Sequence, residues 1–252
     1  MRIRSRGRTD VGRKREQNED SFLVADDLSL YIVADGMGGH AGGDIASRLA
    51  VETIERVIRE ARSWPDNPFA VSAPLPESPL PDLLRLAVEE ACAAIYRRAH
   101  EDPDLAGMGT TVSAMLVKGQ DVFIAHVGDS RVYLSRGRLI QQITEDHSLV
   151  NEQLKAGVIT AEEARTSRFK NIITRSVGFE EEVQVDVMGL VAEPGDVFVL
   201  CSDGLANPVE DGEIGEMARR IPFDELPDRL VDLANARGGD DNITVVCVGF
   251  EK

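Results

Sequence analysis

What this 252-residue chain lacks narrows the field first. It has no apolar run long enough for a signal-peptide core or a membrane span, and the basic opening MRIRSRGR leads into polar sequence, which predicts a soluble, cytoplasmic protein. Cysteine is scarce and odd in number. Cys92, Cys201 and Cys247 share no close metal-ligand spacing, which excludes a disulfide framework and a structural zinc site and leaves them as small buried hydrophobes. Positive charge is in deficit: 28 Lys and Arg stand against 44 Asp and Glu, a net charge of −16, which repels phosphate backbones and argues against a nucleic-acid partner. Neither a P-loop G-x-x-x-x-G-K-[ST] nor a nucleophile elbow G-x-S-x-G occurs. Cys92 and Arg98 match the spacing of a cysteine nucleophile followed by five residues and an arginine. They fall on a helical segment without glycine, whereas a phosphate cradle needs free backbone donors and a lowered thiol pKa.

With 42% hydrophobic and 29% charged residues, the chain suits one globular domain spanning residues 1–252. Runs rich in β-branched and aliphatic residues predict strands at Leu30–Ala34, Val112–Val117, Val122–Val127, Arg131–Leu134, Val197–Leu200 and Ile243–Val248. Short gaps between them indicate antiparallel sheet. Helical spacing of Ile45, Leu49, Ile54, Val57 and Ile58 predicts a helix over 44–61, and Leu84, Ala87, Val88, Ala91 and Ile95 predict a second. Both helices are expected to cover a sheet. Between them the prolines Pro65, Pro68, Pro74, Pro76, Pro79 and Pro81 predict an irregular surface loop over 64–82, read as spacer. Further on, Asp146 is expected as a helix cap, Gly157 as a stop, and Thr160 to Glu163 as a capping box, which together suggest a small inserted subdomain.

The most informative feature is where the acids stand. Asp35 follows LYIVA, Asp129 follows VFIAHVG, Asp203 follows VFVLCS, and Asp241 precedes NITVVCV. In antiparallel sheets the end of one strand lies beside the start of its neighbour, so all four can meet at one rim. Carboxylates crowded there repel one another unless cations are bound. An oxygen-only donor set prefers Mg²⁺ or Mn²⁺ and disfavours zinc. Any one such Asp is ordinarily explained as turn punctuation; four at one rim favour metal. Glycine after Asp35 and Asp203, at Gly36 and Gly204, lets the backbone approach a ligand closely and offer it a carbonyl oxygen. A pair of hard cations about 4 Å apart suits phosphate-ester hydrolysis, because it lowers the pKa of a bridging water and neutralises phosphoryl oxygens. Arg15, close in sequence to Glu19 and Asp20, supplies a planar guanidinium that can grip two phosphate oxygens.

The ordered motifs TDVGRKREQNEDSF, VADGMGGHAGGDIAS, GMGTTVSAML, AHVGDSRVYL, TEDHSLV, NIITRSVG, LCSDGL and GGDDNITVV resemble the bacterial branch of the metal-dependent serine/threonine protein phosphatases, the protein phosphatase 2C type (PPM). The resemblance runs from about Thr9 to the end. It implies an α+β, four-layer α-β-β-α sandwich of two antiparallel sheets flanked by helices, with a flap subdomain at about 147–177. It further implies hydrolysis of phosphoserine and phosphothreonine by metal-activated water, with Mn²⁺ or Mg²⁺ as cofactor in two sites; bacterial members often show a third.

Carried onto this sequence, the resemblance implies that Asp35 bridges two metals, Gly36 lends its carbonyl, and Asp203 and Asp241 hold the first metal. Glu19 and Asp20 would support the second through water, Asp129 with Asp203 would hold the third ion, and Arg15 would bind the substrate phosphate. Met37 stands where the animal motif has a histidine credited as general acid, so His40 is the nearest candidate donor; its near-neutral pKa suits the task, the alternatives being a plain His at the start of the helix near Asp44 and a proton supplied by metal-bound water or the third metal. His126 and His147 read as structural. The expected partners are phosphorylated Ser/Thr proteins and a cognate Ser/Thr kinase, with no nucleic acid and no membrane, and the expected state is a monomer. The rival reading is a catalytically silent scaffold of the same fold, disfavoured by the complete set Arg15, Asp35, Asp203 and Asp241.

Overall fold

The computed structural model describes residues 1–38, 42–71 and 77–252. The strands are β1 (Arg2–Asp10), β2 (Asp20–Ala25), β3 (Leu30–Met37), β4 (Gly109–Thr110), β5 (Val112–Lys118), β6 (Asp121–Val127), β7 (Arg131–Arg136), β8 (Leu139–Gln142), β9 (Asp186–Val191), β10 (Val197–Cys201) and β11 (Ile243–Glu251). Two antiparallel sheets result, ordered β1-β11-β10-β7-β8 and β2-β3-β5-β6-β9, with β4 pairing β3. The helices are α1 (Gly43–Ala61), α2 (Leu80–Glu101), α3 (Leu149–Lys155), α4 (Ala161–Thr166), α5 (Asp203–Ala206), α6 (Asp211–Arg220) and α7 (Leu226–Ala236).

The layering follows from strand periodicity. Along β3, Leu30, Ile32 and Ala34 join α1 and α2 in one core, while Tyr31 and Val33 point the other way into the space between the sheets. Along β10, Phe198 and Leu200 enter that same inter-sheet core, and Val199 and Cys201 face α6 and α7. Sheets buried on both faces read as continuous apolar runs, which is why these strands stand out in the sequence. Between the sheets Phe198 and Phe250 meet edge to face at 5.6 Å. The result is the expected four-layer α-β-β-α sandwich. All three cysteines are buried and free, as read from their scarcity.

Several elements differ from the sequence reading. β1 and β2 are strands that the apolar-run criterion passes over, because β1 places arginines at every second position and its face toward the sheets is sparse. Helix α2 begins within the segment read as loop: Pro81 sits in its first turn, where the missing N–H costs nothing. Pro74 and Pro76 lie outside the described residues. The cap of α3 is Ser148, whose Oγ accepts from the Asn151 N–H; Asp146 is instead drawn to the Arg131 guanidinium. The Thr160–Glu163 capping box forms, and Gly157 follows α3 with φ +69°. The chain between β8 and β9 carries α3 and α4 as a flap whose ends are drawn together, Leu149 N–H donating to Ile172 O at 2.9 Å. Among the described residues no helix is long and apolar enough to cross a membrane.

Candidate active site

The site forms at one end of the sandwich, where strand register does the placing. Pairing of β2 with β3 sets Asp20 opposite Asp35. The Asp35 backbone is pinned: its N–H donates to Thr111 Oγ1 at 2.9 Å, and its carbonyl accepts from Thr111 N–H at 2.8 Å and Thr110 Oγ1 at 2.9 Å. Gly36 has no room for a side chain, since a Cβ would stand 2.0 Å from the Gly43 carbonyl oxygen and 2.5 Å from that of Glu19. Gly204 is as tightly placed, 1.9 Å from the Asn242 carbonyl oxygen by the same measure. The close approach that these Asp-Gly pairs predict is therefore an approach to neighbouring backbone.

Asp203 opens α5 directly after β10, and Asp241 stands just before β11. Asp241 Oδ2 accepts from Arg15 Nη2 at 2.8 Å, and its Oδ1 from the Asn242 N–H at 2.9 Å. Asn242 fastens the loop that carries Arg15. Its Nδ2 donates to the carbonyls of Val11 at 3.0 Å and Gln17 at 2.9 Å, while its Oδ1 accepts from the Glu19 N–H at 2.8 Å. Asp129 follows the turn at Gly128 after β6.

Arg15, Glu19, Asp35, Gly36, Asp129, Asp203 and Asp241 all line one cavity of about 520 Å³, joined by Asn171 and Ile173 from the flap. Asp20 is not in the lining. It lies buried behind, with Oδ2 accepting from Ser202 Oγ at 2.9 Å and Oδ1 without a partner among the described residues. His40 lies outside the described residues. Asn242, Thr111, Asn171 and Ser202 are the supporting residues the sequence reading did not single out; Asn242 was discoverable, because an Asn after a strand-opening Asp is a natural bracket for neighbouring backbone.

The electrostatics are lopsided. Burial, then the charges of Asp20, Asp203, Asp129 and Asp241, push the Asp35 carboxyl well above the usual range. Burial first and neighbouring carboxylates second raise Asp20 to about 7, Asp129 to about 8 and Asp203 to about 6. Glu19 is also raised, mainly by burial. Among the described residues, Arg15 is the one basic side chain in the cavity lining.

These observations test the fit for metal. The donors are oxygens, the negative charge exceeds its protein partners, and a buried Asp20 oxygen is orphaned, all of which a hard divalent cation answers. Among the described residues no three such side chains already close into a ligand shell. The donor chemistry fits Mn²⁺ or Mg²⁺.

The family model for protein phosphatase 2C matches residues 9–244. The chain belongs to this family. Among protein phosphatase 2C-type relatives, it is 41% identical over 245 residues to the serine/threonine phosphatase stp of Listeria monocytogenes, covering 96% of this chain and 93% of that one. Its fold superposes on the serine/threonine phosphatase PstP/Ppp of Mycobacterium tuberculosis with a TM-score of 0.87 at 36% identity, covering 99% of both chains. A second structure, the PstP catalytic domain in complex with two manganese ions, matches with a TM-score of 0.85 at 36% identity over 99% of both chains. The protein phosphatase 2C assignment thus agrees with the two-sheet sandwich and with an oxygen-donor site.

Proposed function

We propose that this chain is a metal-dependent protein serine/threonine phosphatase whose reaction centre is the acidic cavity at the end of the two sheets. The observation that carries the reading is the imbalance there: Glu19, Asp35, Asp129, Asp203 and Asp241 line one cavity with Arg15, and Asp20 lies directly behind. Bound Mn²⁺ or Mg²⁺ would supply Lewis-acid neutralisation of phosphoryl oxygens and an activated water.

The residues divide the work. Asp35 would serve both cations, Gly36 would offer its carbonyl, Asp203 and Asp241 would hold the first ion, and Glu19 and Asp20 would support the second; Asp129 with Asp203 would hold a third. Arg15 is exposed, and its guanidinium has donors beyond the one given to Asp241, which suits a phosphate dianion. We assign His40 as proton donor to the leaving alkoxide; a His40→Ala variant with an unchanged pH–rate profile would remove it. The flap residues Asn171 and Ile173 border the cavity and would select among phosphoproteins. The reading extends to a monomer of one catalytic domain, acting in the cytoplasm against the products of a Ser/Thr kinase.

The test is hydrolysis of p-nitrophenyl phosphate and a phosphothreonine peptide by EDTA-treated protein, with Mn²⁺, Mg²⁺ or Zn²⁺ restored. Turnover returning with Mn²⁺ or Mg²⁺ is the expected result. Silence with every metal, in protein shown to be folded, would favour the scaffold reading.

A further inference from the structure

His147 stands at the root of the flap, buried, and every hydrogen-bonding group it has is engaged. Its N–H donates to the Gly128 carbonyl at 2.7 Å, and its own carbonyl accepts from the Thr174 N–H at 2.9 Å, on the returning limb of the flap. Its Nδ1 lies 3.1 Å from the Gly128 nitrogen. Its Nε2 lies 3.1 Å from Asp186 Oδ2 on β9. Arg175 Nη1 reaches Asp186 Oδ1 at 3.1 Å and approaches Nε2 at 3.3 Å.

These contacts determine the tautomer. A backbone N–H can only donate, so Nδ1 must be the bare nitrogen and the neutral ring carries its proton on Nε2, directed at Asp186. Arg175 then serves Asp186 as its charge partner and gives nothing to the ring. The imidazole and its backbone therefore grip Gly128 by both its N–H and its carbonyl. Gly128 is held from the other side as well: at φ +108° a Cβ would lie 2.6 Å from a Thr111 side-chain carbon, and Thr111 is the residue that pins Asp35. The next residue is Asp129.

We propose that His147 is a positioning residue that ties the seating of the flap to the placement of the Asp129 carboxylate, through a bare Nδ1 that holds the Gly128 turn. The inference rests on the phosphatase reading for its consequence but not for its geometry. Two substitutions separate the ring's two jobs: an asparagine oxygen can take the place of Nδ1 and accept from Gly128, whereas a glutamine amide reaches toward Asp186 and leaves the Gly128 N–H without an acceptor.

Nitrogen-15 chemical shifts of the His147 ring in the metal-free protein, assigned by their loss in H147N, should show Nδ1 unprotonated and Nε2 protonated. In Mn²⁺-dependent hydrolysis of p-nitrophenyl phosphate, H147Q should lower kcat by about 10–100-fold with KM little changed, while H147N retains most of the turnover. The reverse tautomer, an imidazolium ring at neutral pH, or an H147N variant as impaired as H147Q overturns the proposal. Wild-type protein silent with every metal would sink the phosphatase reading itself, a failure that the ring shifts distinguish from failure of the clamp.

Discussion

Arginine meets carboxylate in two regions of this molecule with opposite balance. Along the edge strand β1, Arg4 pairs with Asp224 and Glu251, and Arg8 with Asp228, Asp10 and Asp232, in a ladder of partly exposed ion pairs. At the cavity, Arg15 faces Glu19, Asp35, Asp129, Asp203 and Asp241 with no second basic side chain in the lining among the described residues. The ladder lies along an edge strand, where charged side chains discourage pairing with another chain, and its charges are matched near water. The cavity holds charge that the protein's own groups leave unmatched, out of water, where repulsion and desolvation act together. Matched surface charge is architecture; unmatched buried charge calls for a ligand.

Substitutions should expose that difference in graded fashion. Asp203→Ala should have the largest effect, removing several kcal/mol of metal-dependent stabilisation, on the order of 10³-fold in turnover, with circular dichroism unchanged. Full activity in that variant would strip Asp203 of its assigned role. Arg15→Ala should raise KM for an aryl phosphate by about tenfold or more, since it removes charged hydrogen bonds to the substrate. An unmoved KM would take Arg15 out of the phosphate site.

The cavity should also announce itself through pH. Asp20, Asp129 and Asp203 are raised to about 7, 8 and 6 in the folded protein, whereas an unfolded aspartate titrates near about 3.9. Between those values the folded state binds more protons than the unfolded state, so metal-free protein should lose stability as pH rises from about 4 to about 8. Thermal melts across that range should show Tm falling, with Mn²⁺ reversing much of the fall; a Tm that climbs with pH would contradict the crowding. Arg8→Ala should have the smallest effect. Its side chain is 36% exposed and its pairs are screened, so urea unfolding should report a loss of about 0.5 kcal/mol or less.

Legibility in the sequence followed burial. Strands β3, β5, β6, β7, β10 and β11 are apolar on both faces and can be read without a structure, whereas β1 alternates arginine with Ile3, Ser5, Gly7 and Thr9 and gains its strand character from pairing with β11 along its whole length. The four aspartates at strand ends were visible as a pattern, and their Asp-Gly pairs as sites of close approach. Thr111 and Ser202 carried no comparable signal, because a hydroxyl that brackets distant backbone looks like any other polar residue in a turn. Asp146 misled for a related reason: a good capping residue was taken by Arg131, and Ser148 capped α3 in its place.

By itself the sequence determined the local terms: which runs alternate or stay apolar, where the Thr160–Glu163 capping box forms, and which acids stand at the ends of strands. Those terms depend on residues a few positions apart. Tertiary structure alone decided that Asp20 faces Asp35, that Arg15 reaches Asp241 across 226 positions, and that His147 grips Gly128. Register and long-range pairing arise from many small contacts acting together, and a charge cluster acquires its unusual acidity only when the fold removes it from water.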